Sequence, residues 1–274
     1  MIRAENLTLG YGDRLVLQGL DFRVAGGEFV GILGPNGSGK STLLHALAGL
    51  LPPRGGQILV EGQALDDLAS RLRAQTLAVV PQSSEVRFPF ACLEIVLMGR
   101  YPHRRRFGNL TPEDLLLALQ AMERTTTGHL RERPVTEVSG GECQQVVIAR
   151  SLAQDPRILL LDEATSSLDV RKKLEIFEVL KFLNRTRGLT LLCAMHDLNL
   201  AALYCRRLMF VKNGRIVRDG PTEEVFTPEV LAEVYDTAME VRRHPRSGRP
   251  YAVMLPPAAG EGELGASEPE AARA

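Results

Sequence analysis

Apolar side chains alternate with polar ones at Leu7, Leu9 and Tyr11, and again at Leu20, Phe22 and Val24. A period of two puts one face of a strand on a core. Gly26-Gly27 marks a turn, and Phe29-Val30-Gly31-Ile32-Leu33 follows as a short run suited to a buried strand. A glycine-rich loop comes next, then a helical segment from Ser41 to Leu50 that Pro52-Pro53 stops. Strand patterns recur at Gln57–Val60 and Leu77–Val80. From Ala91 to about Ala153 the period is mostly helical, through Leu93, Val96 and Leu97 and then Leu115–Met122. Apolar strand runs return at Ile158–Leu161 and Leu189–Ala194, each followed by a helical pattern.

Strands alternating with helices predict the α/β class, with a parallel sheet covered by helices. The helical stretch 91–153 reads as an inserted subdomain of a unit spanning 1–255. No internal repeat is visible. Residues 256–274 are mostly Ala, Gly, Glu and Pro with hardly an apolar anchor, the composition of a disordered tail.

Composition narrows the classes further. The chain has 274 residues, 45% apolar and 24% charged, with 33 Lys plus Arg against 33 Asp plus Glu. That balance lacks the basic surplus of a nucleic-acid binder, so no nucleic-acid partner is expected. Cys92, Cys143, Cys193 and Cys205 form no C-x-x-C pair, which suggests neither a zinc nor a dithiol site and suits a reducing cytoplasm. The N-terminus lacks the apolar core of a signal peptide, and no apolar run approaches the ~18 residues of a membrane span. A role at a membrane would therefore come through a partner.

Gly34-Pro35-Asn36-Gly37-Ser38-Gly39-Lys40-Ser41, followed by Thr42, fits G-x-x-x-x-G-K-[S/T] between a strand and a helix. Glycines let backbone N–H groups curl around a β-phosphate, and the helix start adds its positive dipole end. Lys40 then reaches the β- and γ-phosphates, and the Ser41 hydroxyl is a ligand for Mg²⁺. Downstream, the strand Ile158–Leu161 ends in Asp162 and Glu163. Strand ends are where ligands sit in open parallel sheets. Asp162 is placed for Mg²⁺, and Glu163 for general base toward the attacking water.

Val138-Ser139-Gly140-Gly141-Glu142 is the more telling segment. Ser139 and Glu142 alone make a capping box. Gly140 and Gly141 in a first helical turn each forfeit up to ~1 kcal/mol of helix propensity, which a cap would not require. They make sense where a phosphate approaches the helix start.

With these segments in place, the chain resembles the ATPases of ATP-binding-cassette (ABC) transporters over residues 1 to about 240. Gly34–Thr42 is similar to the family's Walker A loop, Ile158–Glu163 to Walker B and Ser139–Glu142 to its signature. Gln82 falls at the Q-loop glutamine, Ser167-Leu168-Asp169 at the D-loop, His196 at the switch histidine and Tyr11 at the aromatic that stacks on adenine. Taken singly, Gln82 is an ordinary loop residue, Asp169 a helix cap and Tyr11 a strand aromatic. Two positions depart from the pattern: Cys143 stands where arginine is common and Val138 where leucine is. Neither carries a chemical role, though Cys143 suggests sensitivity to oxidation.

The resemblance implies a P-loop NTPase (RecA-like) core with an antiparallel β subdomain and an inserted helical one. It implies ATP and Mg²⁺ as cofactors, with Gln82 near the metal and Gln82, Glu163 and His196 in catalysis. It also implies a head-to-tail homodimer in which Ser139, Gly140, Gly141 and Glu142 of one copy close over the γ-phosphate of the other. Glu94–His103 and His244–Pro250 are similar to the branch serving importers of iron chelates (siderophores), haem and cobalamin. In that branch the partners are a permease dimer and, indirectly, a periplasmic or lipoprotein substrate-binding protein, with the ATPase at the cytoplasmic face of the membrane. The basic run Arg100, Arg104, Arg105 and Arg106 suits either a permease or lipid contact or a solvated face. An exporter ATPase remains an alternative. A DNA-repair ATPase would need a long coiled coil or zinc hooks, and a ribosome-associated factor two cassettes.

Overall fold

The fold is built on two main sheets that share a hydrophobic core, described by a computed structural model over residues 1–82, 86–104 and 108–256. The smaller sheet is antiparallel. Its strands β1 (Ile2–Tyr11), β2 (Arg14–Val24), β4 (Gly55–Val60) and β5 (Gln63–Ala64) run in the order β2-β1-β4-β5. The larger sheet orders β10-β9-β3-β8-β7-β6. Here β3 is Phe29–Leu33, β6 Leu77–Val80, β7 Ile158–Asp162, β8 Thr190–Ala194, β9 Arg207–Lys212 and β10 Arg215–Pro221. It is parallel except for β10, which returns on β9 as a hairpin.

Every residue of β3, β7 and β8 is buried. Both faces are covered, which is why these strands read as continuous apolar runs. The pleat sorts their side chains into two cores. Ile158 and Leu160 join Leu43 and Leu44 of α1 (Lys40–Leu47), together with Leu7 and Ile58 of the antiparallel sheet. Leu159 and Leu161 join the opposite core, with Val147 of α5 (Gly140–Ala153) and Phe177 of α6 (Val170–Arg187). There Phe177 stacks on Phe29, ring centroids 6.2 Å apart. The helix after the loop begins at Lys40 and stops at Leu47, shorter than the expected Ser41–Leu50, because the chain turns at Gly49 with φ +69 before the prolines.

The short helix α2 (Ser70–Thr76) leads into β6, and between β6 and β7 the helices α3 (Cys92–Leu97), α4 (Pro112–Arg124) and α5 pack on one another. Pro112 at the first turn and the Thr111–Asp114 capping box start α4. Arg100 is a correction to both expectations for the basic run. It meets neither solvent nor a partner, being 6% exposed, with Nε 3.0 Å from Asp114 Oδ1 and Nη1 donating to Ala153 O at 2.7 Å. Asp114 is the acid that a buried guanidinium requires. Arg104 folds over the Tyr101 ring and donates to Gly108 O. Arg105 and Arg106 lie outside the described residues, as do 257–274 of the tail.

Beyond β8 the chain adds α7 (Leu198–Tyr204), β9, β10, α8 (Thr222–Val225) and α9 (Pro228–Tyr235). A last hairpin pairs β11 (Met239–Arg243) with β12 (Pro250–Met254). No described helix is long and apolar enough to cross a membrane.

Candidate active site

The loop leaving β3 depends on its glycines at two points. Gly34 has φ +154, and a Cβ there would lie 2.0 Å from Val211 O. Gly39 has φ +105, and a Cβ there would lie 2.6 Å from Leu17 Cδ2. Both positions exclude any side chain. Gly39 is the N-cap of α1, so the helix opens directly onto the loop. Lys40 is 4% exposed, and its ammonium donates to Gly34 O at 2.9 Å and Pro35 O at 3.1 Å. Burial lowers its pKa from the ordinary lysine value, and the carboxylates of Glu163 and Asp162 oppose that shift. The Ser38 hydroxyl is buried without a hydrogen-bond partner among the described residues. A phosphate oxygen would supply the missing partner.

At the end of β7, Asp162 Oδ1 accepts from Ser41 Oγ at 2.7 Å, and Asp162 Oδ2 stands 3.7 Å from His45 Nε2. Glu163 then leaves the strand with φ +49, an αL conformation that costs a non-glycine residue on the order of 1 kcal/mol. Its amide donates to Ala194 O at 3.1 Å, fixing the turn against β8. Its carboxylate sits between two loops: Oε2 accepts from Gln82 Nε2 at 2.8 Å, and Oε1 contacts His196 Nε2.

A cavity of about 350 Å³ gathers Asn36, Gly37, Gly39, Lys40, Ser41, Thr42, Gln82, Glu163 and His196 on one surface. Pro35 and Gly34 stand behind it through their carbonyls on Lys40. Val16 of β2 also lines it, and His45 flanks Asp162. Neither was expected from the sequence. For His45 a signal existed, since it follows Ser41 by one helical turn. For Val16 there was none.

Other expected residues are elsewhere. Tyr11 ends β1 half-exposed and does not line the cavity. Asp169 caps α6, accepting from Lys172 N at 2.9 Å. Ser139 and Glu142 close the capping box of α5: Glu142 Oε2 accepts from Ser139 N at 2.8 Å and from Ser139 Oγ at 2.7 Å. Those two bonds hold the Glu142 carboxyl below its ordinary value. The glycines between them are not demanded by this chain's own packing. A Cβ on Gly140 meets nothing within 4 Å, and one on Gly141 comes no closer than 3.5 Å, to Leu168. Burial raises the Cys143 thiol pKa, which works against the thiolate that oxidation requires.

Comparison with known proteins agrees with this geometry. The ABC transporter family pattern matches residues 17–166. The iron(3+)-hydroxamate import ATP-binding protein FhuC of Bacillus subtilis is 36% identical over 91% of this chain and 93% of its own. The hemin import ATP-binding protein HmuV of Pseudomonas aeruginosa is 43% identical over 92% of this chain and 99% of its own. Some relatives are longer, and this chain spans 58% of the length of one of them. An inward-facing metal-chelate type ABC transporter superposes with a TM-score of 0.81 at 29% identity, covering 93% of this chain and 98% of its own. The chain belongs to the ABC transporter family, as one of its ATP-binding, ATP-hydrolysing subunits.

Proposed function

We propose that this subunit hydrolyses Mg-ATP to power import of a metal chelate (a ferric siderophore, haem or cobalamin) through a membrane permease. The observation that carries the chemistry is the Glu163 carboxylate held between Gln82 and His196, on the same cavity wall as Lys40 and Ser41. Glu163 takes the proton of the attacking water, and Gln82 and His196 fix the carboxylate that receives it. Lys40 exchanges its loop carbonyls for the β- and γ-phosphates. The hard oxygens Ser41 Oγ and Asp162 Oδ1 suit Mg²⁺, with Gln82 at the edge of the same cavity. That ion would neutralise phosphate charge. Tyr11 is assigned to the adenine.

Half of the site comes from a second copy in this reading. Open space at Gly140 supports it: the glycine forgoes helix propensity for no gain inside the chain. A partner's γ-phosphate over Ser139, Gly140, Gly141 and Glu142 supplies the reason. Asp169 lies in the segment that would face that copy.

The chelate class rests on the hydroxamate and hemin import relatives and the metal-chelate type neighbour. The helical segment from Glu94 to His103 is assigned to the permease dimer, which holds the subunit at the cytoplasmic face. A substrate-binding protein delivers the chelate on the far side. Unit 1–255 is read as one cassette, with 256–274 as a tail. The test is affinity capture of the tagged protein from membranes expressing a chelate permease. Recovery of that permease, and ATP-dependent chelate uptake by vesicles holding the complex, are expected. Capture of an exporter instead, with no uptake, would overturn the import reading.

A further inference from the structure

At the other end of β3 from the phosphate loop, a second cavity of about 270 Å³ opens between α6, the end of α7 and the β11–β12 hairpin. Phe29, the first residue of β3, lines it. The five residues of β3 span roughly 16 Å, so this cavity is separate from the nucleotide site.

Its lining is one-sided in charge. Lys181 and Arg185 come from α6, Arg206 from just before β9 and Arg249 from the hairpin, and among the described residues no acid lines it. Like charges gathered from separate elements repel, so their convergence calls for an anion. The carboxylates behind them do not balance the set. Glu178 bonds Lys181 at 3.0 and 3.1 Å and takes the Tyr204 hydroxyl as well. Glu223 is shared by Arg249 at 3.0 Å and Arg243 at 2.9 Å. Arg185 and Arg206 have no ion pair among the described residues.

The site is also partly built. Arg249 is three-quarters covered, donates through Nε to Ala202 O at 2.9 Å and also bonds Cys205 O. That places a fixed guanidinium at the C-terminal end of α7. Lys181 Nζ lies 5.4 Å from the Tyr204 ring centroid, which restrains the second cation. Arg185 and Arg206 are exposed at the rim, and the Ser247 hydroxyl adds a neutral donor. Guanidinium forks around a small cavity suit the several oxygens of a tetrahedral phosphoryl group better than a single carboxylate.

We propose that this cavity binds a phosphoryl group, from a free phosphate or phosphomonoester or from a lipid headgroup, and thereby ties the C-terminal hairpin to α6. This does not depend on what the transporter carries.

The test is calorimetric titration of the full chain with inorganic phosphate, its nucleotide site first filled with ADP–beryllium fluoride. A parallel arm uses phosphatidylglycerol vesicles against phosphatidylcholine ones. Saturable phosphate binding, weakened at least tenfold in Arg185→Gln/Arg206→Gln and restored in Arg185→Lys/Arg206→Lys, is expected for a soluble ligand. The same dependence on phosphatidylglycerol vesicles alone assigns the site to lipid. Both residues are exposed, and an unchanged melting temperature confirms that the variants fold. Absence of both kinds of binding, or binding indifferent to the double glutamine variant, would overturn the proposal.

Discussion

Gln82 and Glu163 are 81 residues apart in the chain and 2.8 Å apart in space. The bond links the loop after β6, which leads into the helical subdomain, to the carboxylate at the end of β7. His196 reaches the same carboxylate from the loop after β8. The Glu163 carboxylate is thus held by two loops that belong to different parts of the fold. His196→Ala should lower kcat by about 10²-fold or more while shifting KM for ATP little, the size expected for loss of a group that acts on the base. Equal losses in kcat and in nucleotide affinity would place His196 in binding instead.

Lys40→Ala removes the cation that the loop holds ready at Gly34 and Pro35. Nucleotide binding, followed with a fluorescent ATP analogue, should weaken at least tenfold, and turnover should fall below detection. Turnover at the wild-type rate would remove the phosphate loop from the account.

Gly140→Ala separates folding from chemistry. A Cβ there meets open space, and alanine favours helix over glycine by up to ~1 kcal/mol. The isolated subunit should therefore melt at the same temperature or slightly higher, while ATPase activity falls steeply. Full activity with raised stability would mean that nothing approaches this helix start.

Acid sensitivity should trace to the buried pair in the helical subdomain. Burial raises the Asp114 pKa, but hydrogen bonds from Thr111 and Arg100, with the Arg100 charge, outweigh it, so the net shift is downward. A depressed carboxyl stabilises the fold above the ordinary aspartate value near ~4 and loses that stabilisation as pH falls through the folded-state value. Asp114→Asn should cost about 3 kcal/mol at neutral pH, since it leaves Arg100 buried without its counter-charge. It should also flatten the fall of melting temperature below about pH 5. An unchanged acid profile would show that the pair does not set it.

The core and the phosphate loop were legible because they rest on local chemistry. Runs such as Ile158–Leu161 and a loop that only glycine can form announce themselves in one dimension. Arg100 misled because its paired acid, Asp114, lies fourteen residues on, in the first turn of α4, and charge alone reads as surface. The β9–β10 hairpin was missed although Asn213-Gly214, with φ +50 and +75, is a strong two-residue hairpin signal. β9 is buried at four consecutive positions, Leu208 to Val211, whereas β10 is largely exposed, so neither strand shows the alternation that would mark a pair. Val16 could not have been found, since only the packing of the antiparallel sheet over the loop brings it to the cavity.

The central claim is that two copies share each ATP, with Glu163 as the base. Glu163→Gln keeps the side chain's shape and its reach to Gln82 and His196 but removes its basicity. The decisive measurement is sedimentation velocity of this variant with and without Mg-ATP. A monomer that becomes a stable dimer only with ATP, retaining the unhydrolysed nucleotide, is the predicted result. A monomer with ATP bound would contradict the shared site, and rapid hydrolysis by the variant would contradict Glu163 as the base.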